Sequence, residues 1–509
     1  MRLAVFVGFT FACVFNSMCE IEEAVVATNY GELRGRRLEI LGAKVDAFLG
    51  IPYADPPVGN TRFSPANPWS TEWSGVRNAS SFGAACWQKK YPPPIDHPGH
   101  IWWTTTDECS EDCLFLNVWT PYPAPSDAPV VVFIHGGSLI AGTTSASLYN
   151  GATLAAVENV VVVSMNYRLG LLGFLSFFTE NEPGNLGLLD QAMALLWVKD
   201  NIEHFGGNAD SVTLIGHSAG AASVGLHLMS PASRPFFRRA ILQSGAPNTG
   251  WTMTSRAQDL WVAGKLAKNV HCPTWLDSSN LSYESVVIDT LRCLRERGPQ
   301  NLVNSDPLDA SKTVGGYVVV DGFFLPDNPQ LILADSDMKQ TSIIIGTVDE
   351  ESLLNMGHLP KFRFDIPKVE AVRNTYSADD YKQSIDLLFP YVDQSVRDVI
   401  WFEYRDWFDP NNGTKLHRSV IDMWEDFCMV CPIKEFANFY AEAGNNVYAY
   451  NYDHRSSKSP WKEWLGTVHA DELLFTLGLA MHDDEGLEDM EKQLSRKILK
   501  YWGNYARTG

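Results

Sequence analysis

Long hydrophobic runs are missing from the sequence after Glu20, where no apolar stretch reaches the roughly 18 residues that a membrane-spanning helix requires. Internal repeats and low-complexity tracts are missing too, which leaves one large domain as the simplest organisation. Basic residues are few: 40 Lys and Arg stand against 60 Asp and Glu, and the net charge of −20 disfavours binding to nucleic acid. Apolar residues make up 45% of the 509 positions, which excludes wholesale disorder.

The first residues are typical of a secretory signal peptide. Arg2 precedes an apolar run over residues 3–15, and the small residues Ser17 and Cys19 fit a cleavage site before Glu20. A first strand of the fold is the alternative interpretation. Three Asn-x-Ser/Thr sequons agree with export to an oxidising compartment and predict surface glycosylation: they begin at Asn78, Asn280 and Asn412. We therefore expect a signal peptide over residues 1–19 and a secreted chain without a transmembrane segment.

Buried strands alternate with helices along the chain. The strands are predicted at residues 130–134, 160–164, 211–215, 240–242, 342–345 and 447–450, and two of the helices at 188–201 and 219–229. Continuous apolar strands separated by helices indicate a mostly parallel sheet covered by helices on both faces. The fold class is therefore α/β, and residues 20–509 form a single domain in this interpretation.

A candidate nucleophile lies between one predicted strand and the next helix. Residues 216–220 read Gly-His-Ser-Ala-Gly, and the two glycines permit a sharp turn that lifts Ser218 above the sheet. A tetrahedral oxyanion needs fixed N–H donors. One is predicted at Ala219, directly after the nucleophile, and the others in the glycine turn formed by Gly136 and Gly137 after an earlier strand.

The acid and the base should follow the nucleophile along the chain, in that order. Asp349, Glu350 and Glu351 come directly after the predicted strand at 342–345. Among the later histidines, His469 is the best placed, because it lies in a loop between a strand and a helix. Spacing alone does not choose between the carboxylates, and it does not establish His469.

Two long segments resemble the signatures of the type-B carboxylesterase family, and within it the cholinesterases. Residues 111–121 (EDCLFLNVWTP) resemble one signature and residues 205–220 (FGGNADSVTLIGHSAG) the other, and the similarity continues through residues 237–245 (FRRAILQSG). The resemblance runs from about Asn29 to the last residue. It implies an α/β-hydrolase fold and a serine esterase that needs no cofactor and no metal.

The resemblance also implies the site residues. Ser218 would be the nucleophile, His469 the general base and acid, and Glu351 the acid of the triad, with Glu350 as the alternative because Ser352 replaces the family's glycine. Three tryptophans match positions that bind substrate in the family, namely Trp103, Trp251 and Trp461. Structural features carried over in the same way are an ion pair, Arg62–Glu111, and two disulfides, Cys86–Cys113 and Cys272–Cys293.

Removal of the signal peptide leaves seven of the nine cysteines, so three have no assigned partner: Cys109, Cys428 and Cys431. In the family a further C-terminal helix supplies the partner of Cys431 and half of a dimer interface. The sequence stops at Gly509, before that helix, which disfavours the family's homodimer. These expectations rest on the resemblance alone.

The sequence departs from the cholinesterases next to the nucleophile, where His217 replaces a Glu that helps to hold choline. Lys312 and Val314 replace two aromatic residues of the acyl pocket.

Three functions remain as hypotheses. The first is a cholinesterase-like hydrolase for small, cationic esters, the second a broad carboxylesterase for uncharged esters, and the third a catalytically inactive adhesion or scaffold protein.

Overall fold

The computed structural model describes residues 22–89, 108–277, 282–308, 317–351, 373–390 and 392–509. The proposed signal peptide, Trp103, Asn280, Lys312 and Val314 lie outside these residues. The strands in the described ranges are β1 (Glu23–Thr28), β2 (Gly31–Ile40), β3 (Ala43–Pro52), β4 (Val76–Asn78), β5 (Ala85–Cys86), β6 (Cys109–Ser110), β7 (Phe115–Tyr122), β8 (Ala128–Ile134), β9 (Val161–Met165), β10 (Gly207–His217), β11 (Arg239–Gln243), β12 (Ile343–Val348) and β13 (Val447–Tyr452).

The main sheet has the strand order β1-β2-β3-β7-β9-β8-β10-β11-β12-β13, with β4 paired to β2. From β9 to β13 all neighbours are parallel, whereas β1, β2, β3, β7 and β9 pair in antiparallel fashion. All six predicted strands belong to the parallel part, within a few residues of their predicted ends. The α/β prediction is confirmed, and the antiparallel strands make the sheet mixed.

Helices connect the strands. They are α1 (Ala152–Glu158), α2 (Gly170–Phe174), α3 (Leu186–Asn201), α4 (Ala219–Met229), α5 (Arg256–Asn269), α6 (Tyr283–Glu296), α7 (Pro299–Asn304), α8 (Pro329–Ala334), α9 (Ala378–Leu388), α10 (Gln394–Glu403), α11 (Gly413–Glu425), α12 (Cys431–Glu442), α13 (Leu473–Thr476) and α14 (Asp489–Thr508). A π-helical turn, Asp426–Val430, joins α11 to α12. None of the helices in the described part of the chain is long and apolar enough to cross a membrane.

The sheet is buried on both faces, because alternate residues of its central strands enter two different cores. In β8, Val130 and Val132 pack into one core with residues of α3 and α4, such as Leu195. Val131 and Phe133 pack into the other, with α1 and α14. Strands that are covered on both sides need apolar residues at every position, which explains the continuous runs in the sequence. The prediction of helices on both faces is confirmed.

The parallel strands also determine where the site lies. Strands β8, β10, β12 and β13 point the same way, so the loops after their last residues meet at one edge of the sheet. Gly136, Ser218, Glu351 and His469 are all in segments that follow these strands.

Candidate active site

Ser218 occupies a strained turn between β10 and α4, with φ 57° and ψ −122°. A non-glycine residue in such a conformation costs on the order of 1–3 kcal/mol, so the surroundings must hold it. The Ser218 N–H donates to the Gln243 carbonyl oxygen of β11 (2.8 Å). Close packing of the flanking glycines explains their presence: a Cβ on Gly216 would lie 2.2 Å from the Gly220 oxygen. The sequence therefore folds here into the turn predicted from its glycine spacing.

The glycine turn after β8 lies directly against Ser218. A Cβ on Gly136 would approach the Ser218 Cβ to 3.0 Å, so a larger residue would push the turn away from the nucleophile. Gly137 has φ 110°, a conformation that L side chains rarely adopt. Ala219 begins α4, and the first amides of a helix have no carbonyl partner within the helix. The three predicted oxyanion donors thus lie on two segments, the glycine turn after β8 and the start of α4, and these segments meet at Ser218.

His469 is paired with Glu351. Its Nδ1 lies 2.5 Å from Glu351 Oε2, and the other carboxylate oxygen accepts a hydrogen bond from the Val348 N–H at 2.9 Å. Glu351 is completely buried, and His469 is 7% exposed. The His469 N–H also donates to the Glu350 carbonyl oxygen (3.1 Å), which ties the loop after β13 to the loop after β12.

The alternative acid, Glu350, has a different partner. One of its carboxylate oxygens accepts a hydrogen bond from Arg418 Nη1 at 2.5 Å. Burial raises the pKa of Glu350 from its ordinary value, and Arg418 opposes that shift. Of the two carboxylates that the resemblance left open, the structure brings Glu351 to His469 and Glu350 to Arg418.

Two of the three predicted substrate-binding tryptophans lie in described residues. Trp251 is partly buried, and its indole N–H donates to the Cys428 carbonyl oxygen of the π-helical turn (3.2 Å). Trp461 is 6% exposed and packs with Leu465 and Val468, in the loop that ends at His469.

The features that hold the surrounding loops agree with the sequence analysis. Both predicted disulfides are formed, Cys86–Cys113 and Cys272–Cys293. The predicted Arg62–Glu111 ion pair is also present and bidentate, with N–O distances of 2.6 and 2.7 Å. Arg62 Nη1 donates in addition to carbonyl oxygens at the end of α6, such as that of Leu294 (3.0 Å), so the pair joins three segments.

The remaining cysteines and sequons have contrasting environments. Cys428 is buried and Cys431 exposed, and neither belongs to a disulfide. Burial raises the pKa of the Cys428 thiol, so it behaves as an apolar core residue. Asn78 is exposed on β4, whereas Asn412 caps α11 by accepting a hydrogen bond from the Lys415 N–H (3.2 Å).

Sequence reasoning singled out His217 but missed its buried neighbour Glu472. The His217 ring packs beside His469, and Glu472 lies 3.6 Å from His217 Nε2, with the side chains of His217 and Glu472 fully buried. Glu472 follows His469 by three residues, but the sequence carries no signal that separates it from its neighbour Asp471. Both carboxylates are buried in the structure, and it is Glu472 that comes within 3.6 Å of His217.

A serine on a strand-to-helix turn, with a His–Glu pair and a glycine turn at the same edge of a parallel sheet, defines a serine hydrolase of the α/β-hydrolase class. The chain belongs to the carboxylesterase family, whose sequence profile matches residues 22–509. It is accordingly a carboxylic ester hydrolase.

The chain is similar to two acetylcholinesterases. It is 39% identical over 493 residues to the enzyme of Bungarus fasciatus, covering 96% of this chain and 78% of that protein. It is 38% identical over 528 residues to the enzyme of Danio rerio, covering 96% of this chain and 80% of that protein. The predicted likeness to cholinesterases is therefore confirmed.

Proposed function

We propose that the protein is a secreted esterase that hydrolyses small choline-type esters through an acyl-enzyme on Ser218. The observation that carries the proposal is the buried His469–Glu351 hydrogen bond at the sheet edge where Ser218 stands on its turn. The similarity to two acetylcholinesterases supports a choline ester as substrate. The net charge of −20 supports it as well, because an acidic protein attracts a cationic ester at low ionic strength.

The mechanism uses two acyl transfers. Ser218 Oγ attacks the ester carbonyl while His469 takes its proton, and Glu351 holds the imidazole and stabilises its positive charge. The amides of Gly136, Gly137 and Ala219 stabilise the negative oxygen. The alcohol leaves with the proton from His469, and an acyl-enzyme remains. Water then attacks the acyl group, again with His469 as the base, and frees the carboxylate.

A second candidate is a carboxylesterase for uncharged esters. The observation that favours it is His217, which precedes the nucleophile where the resemblance implies a Glu in cholinesterases. Burial lowers the pKa of His217 well below its ordinary value, so the residue carries no charge at neutral pH. A site without that carboxylate attracts a quaternary ammonium less strongly. Trp103 would then provide the remaining attraction through its indole face.

The first experiment tests the hydrolase itself. A fluorophosphonate probe should label the purified protein at Ser218, and Ser218→Ala should remove both the label and the turnover of a neutral p-nitrophenyl ester. Labelling at another residue, or most of the activity surviving in Ser218→Ala, would refute the assignment.

The second experiment separates the two substrate classes. It compares kcat/KM for acetylthiocholine with kcat/KM for an isosteric neutral thioester, in the wild type and in Trp103→Ala. The choline-ester proposal predicts a ratio well above unity that falls in Trp103→Ala. A ratio near unity that the substitution leaves unchanged would favour the carboxylesterase.

Secretion is part of the same proposal. The signal-like residues 1–19 support it, and so do the two disulfides, since such bonds persist in oxidising compartments. Expression of the full chain in a eukaryotic host should release active protein into the medium, with a mass that falls on treatment with an N-glycosidase. Activity confined to the cytosol would contradict secretion.

A further inference from the structure

A second histidine–carboxylate pair lies beside His469. The ring centroids of His217 and His469 are 4.7 Å apart, and His217 Nε2 is 3.6 Å from Glu472 Oε1. His217 and Glu472 are both completely buried. The mechanism proposed above uses neither of them.

Glu472 is a completely buried carboxyl group to which no side chain of the described residues donates a hydrogen bond. Backbone N–H groups of its own turn, at Ala470 and Glu472, are its nearest support, and burying an ionised carboxylate with so little support is costly. Burial raises the pKa of Glu472 well above its ordinary value, and the negative charges of Glu351 and Asp471 raise it further. Burial therefore favours the protonated form of Glu472, which can donate a hydrogen bond to one acceptor.

The groups that face this acid supply one such acceptor. Those with a titratable side chain are Glu351, Asp471, Tyr149, Tyr450, Tyr452 and His217. Burial raises the pKa of Tyr149, Tyr450 and Tyr452, so these phenols stay protonated. Burial lowers the pKa of His217, and the neighbouring His469 lowers it further, which favours the uncharged imidazole, in which one ring nitrogen is an acceptor.

His217 also contacts the turn that would bind the oxyanion. A Cβ on Gly136 would lie 2.7 Å from the His217 carbonyl oxygen and 3.2 Å from its Nδ1. The residue thus packs against both the Gly136–Gly137 turn and the His469 ring. A shift of its ring would move two parts of the catalytic site relative to Ser218.

We propose that Glu472 and His217 form a buried pair that positions His469 and the glycine turn around Ser218. This inference rests on the proposed function, in which Ser218 is the nucleophile and His469 the base. The uncharged state of His217 matters because His469 becomes positively charged during the attack, and a second charged imidazole beside it would oppose that step. His217 and Glu472 are positioning residues, since they act on the reacting groups through His469 and the turn.

The test compares two replacements of similar size at one position. Glu472→Leu cannot donate a hydrogen bond, whereas Glu472→Gln is permanently neutral and still can. Displacement of catalytic groups by about 1 Å can cost up to about a hundredfold in rate. We therefore expect kcat for a neutral p-nitrophenyl ester to fall about tenfold or more in Glu472→Leu, with KM within about twofold, and to recover most of that loss in Glu472→Gln.

The pH dependence of kcat/KM is a measurement that a purely structural role of Glu472 would leave unchanged. The acid limb of kcat/KM reports the pKa of His469 in the free enzyme. If Glu472 is neutral, the acid limbs of the wild type and of Glu472→Gln coincide. If Glu472 is ionised, its charge raises the His469 pKa, so Glu472→Gln would shift the limb to lower pH and overturn the proposed pair.

Fluorophosphonate titration separates this inference from the proposed function. A wild type that does not react at Ser218 refutes the function itself. A reactive wild type together with a Glu472→Leu variant of unchanged kcat and pH profile refutes only the positioning role. Should Glu472→Leu fail to fold, His217→Gln takes its place: we expect a similar fall in kcat per titrated site, and a wild-type kcat would overturn the proposal.

Discussion

The two halves of the central sheet have opposite characters. In the parallel half, β8, β10, β12 and β13 end at one edge, and the segments that follow carry every candidate catalytic residue. In the antiparallel half, successive strands end at opposite edges, so their loops cannot gather side chains at one place. Its buried polar groups bind one another instead. We expect substitutions in the first half to alter turnover and substitutions in the second to alter stability.

The largest expected effect distinguishes two adjacent carboxylates in the parallel half. Glu351→Gln should lower kcat by about 10³–10⁴-fold, because an amide neither fixes the required tautomer of His469 nor balances its positive charge. Glu350→Gln is the matched control, since it weakens the Arg418 ion pair and leaves the Glu351–His469 hydrogen bond in place. Steady-state kinetics per fluorophosphonate-reactive site measure both.

The assignment of Glu351 as the acid is wrong if the effects of the two substitutions on kcat are exchanged. A loss of kcat in Glu350→Gln as large as that expected for Glu351→Gln would mean that Glu350 serves as the acid. Equal losses in both variants would mean that the loop after β12 is disturbed as a whole.

Asn117 in β7 should give the largest effect on stability. Its side chain is buried, accepts from the Gly50 N–H of β3 (3.0 Å) and donates to the hydroxyls of Thr144 and Ser164 (3.0 and 3.1 Å). Asn117→Ala removes these three hydrogen bonds, and each buried polar group left unsatisfied costs about 1–3 kcal/mol. We expect the free energy of unfolding in urea to fall by about 2–3 kcal/mol, with kcat per reactive site unchanged. A large loss of kcat without loss of stability would connect the antiparallel half directly to catalysis.

The same contrast explains what the sequence could predict. The parallel strands are buried on both faces and read as apolar runs, so all six were found. Strand β2 (GELRGRRLEI) has no such run, and it forms by pairing with its chain neighbours β1 and β3 rather than by apolar composition. Ser218 was identifiable because its glycine pattern follows a strand and precedes a helix.

Other parts of the site depend on geometry that one sequence does not contain. The choice of Glu351 over Glu350 follows from the direction of each side chain after β12, and Arg418, which holds Glu350, comes from α11, far along the chain. Glu472 was overlooked because its importance lies in contact with His217, a residue more than 250 positions earlier. Contacts of this kind arise only when the strands assemble.

A buried acid beside the site should make stability depend on pH. Burial raises the pKa of Glu425 to about 8, and the negative charges of Glu350 and Glu351 add to the shift. A group whose pKa is higher in the folded state stabilises the fold at low pH and loses that contribution as pH rises through about 8. One such proton changes the free energy of unfolding by at most about 1.4 kcal/mol per pH unit.

Glu425→Gln removes this titration. Between pH 5 and pH 9 we expect the free energy of unfolding to decline less steeply in the variant than in the wild type, as measured by urea denaturation at each pH, about 1 unit apart. Parallel curves for the two proteins would show that Glu425 is not protonated in the folded state. In that case Glu425 would carry a negative charge in the folded state, beside the carboxylates of Glu350 and Glu351.

The smallest expected effect tests the antiparallel half once more. Arg37 of β2 and Asp46 of β3 form a bidentate pair, with N–O distances of 2.6 and 3.0 Å, and their side chains are 13% and 11% exposed. Asp46→Asn keeps the shape and removes the charge, so we expect a loss of about 1 kcal/mol in the free energy of unfolding that shrinks at high salt. Activity should not change, because the pair makes no contact with the candidate site. A fall in kcat in this variant, with kcat unchanged in Asn117→Ala, would contradict the division of the sheet into a catalytic and a structural half. Strands β2 and β3 would then also contribute to catalysis.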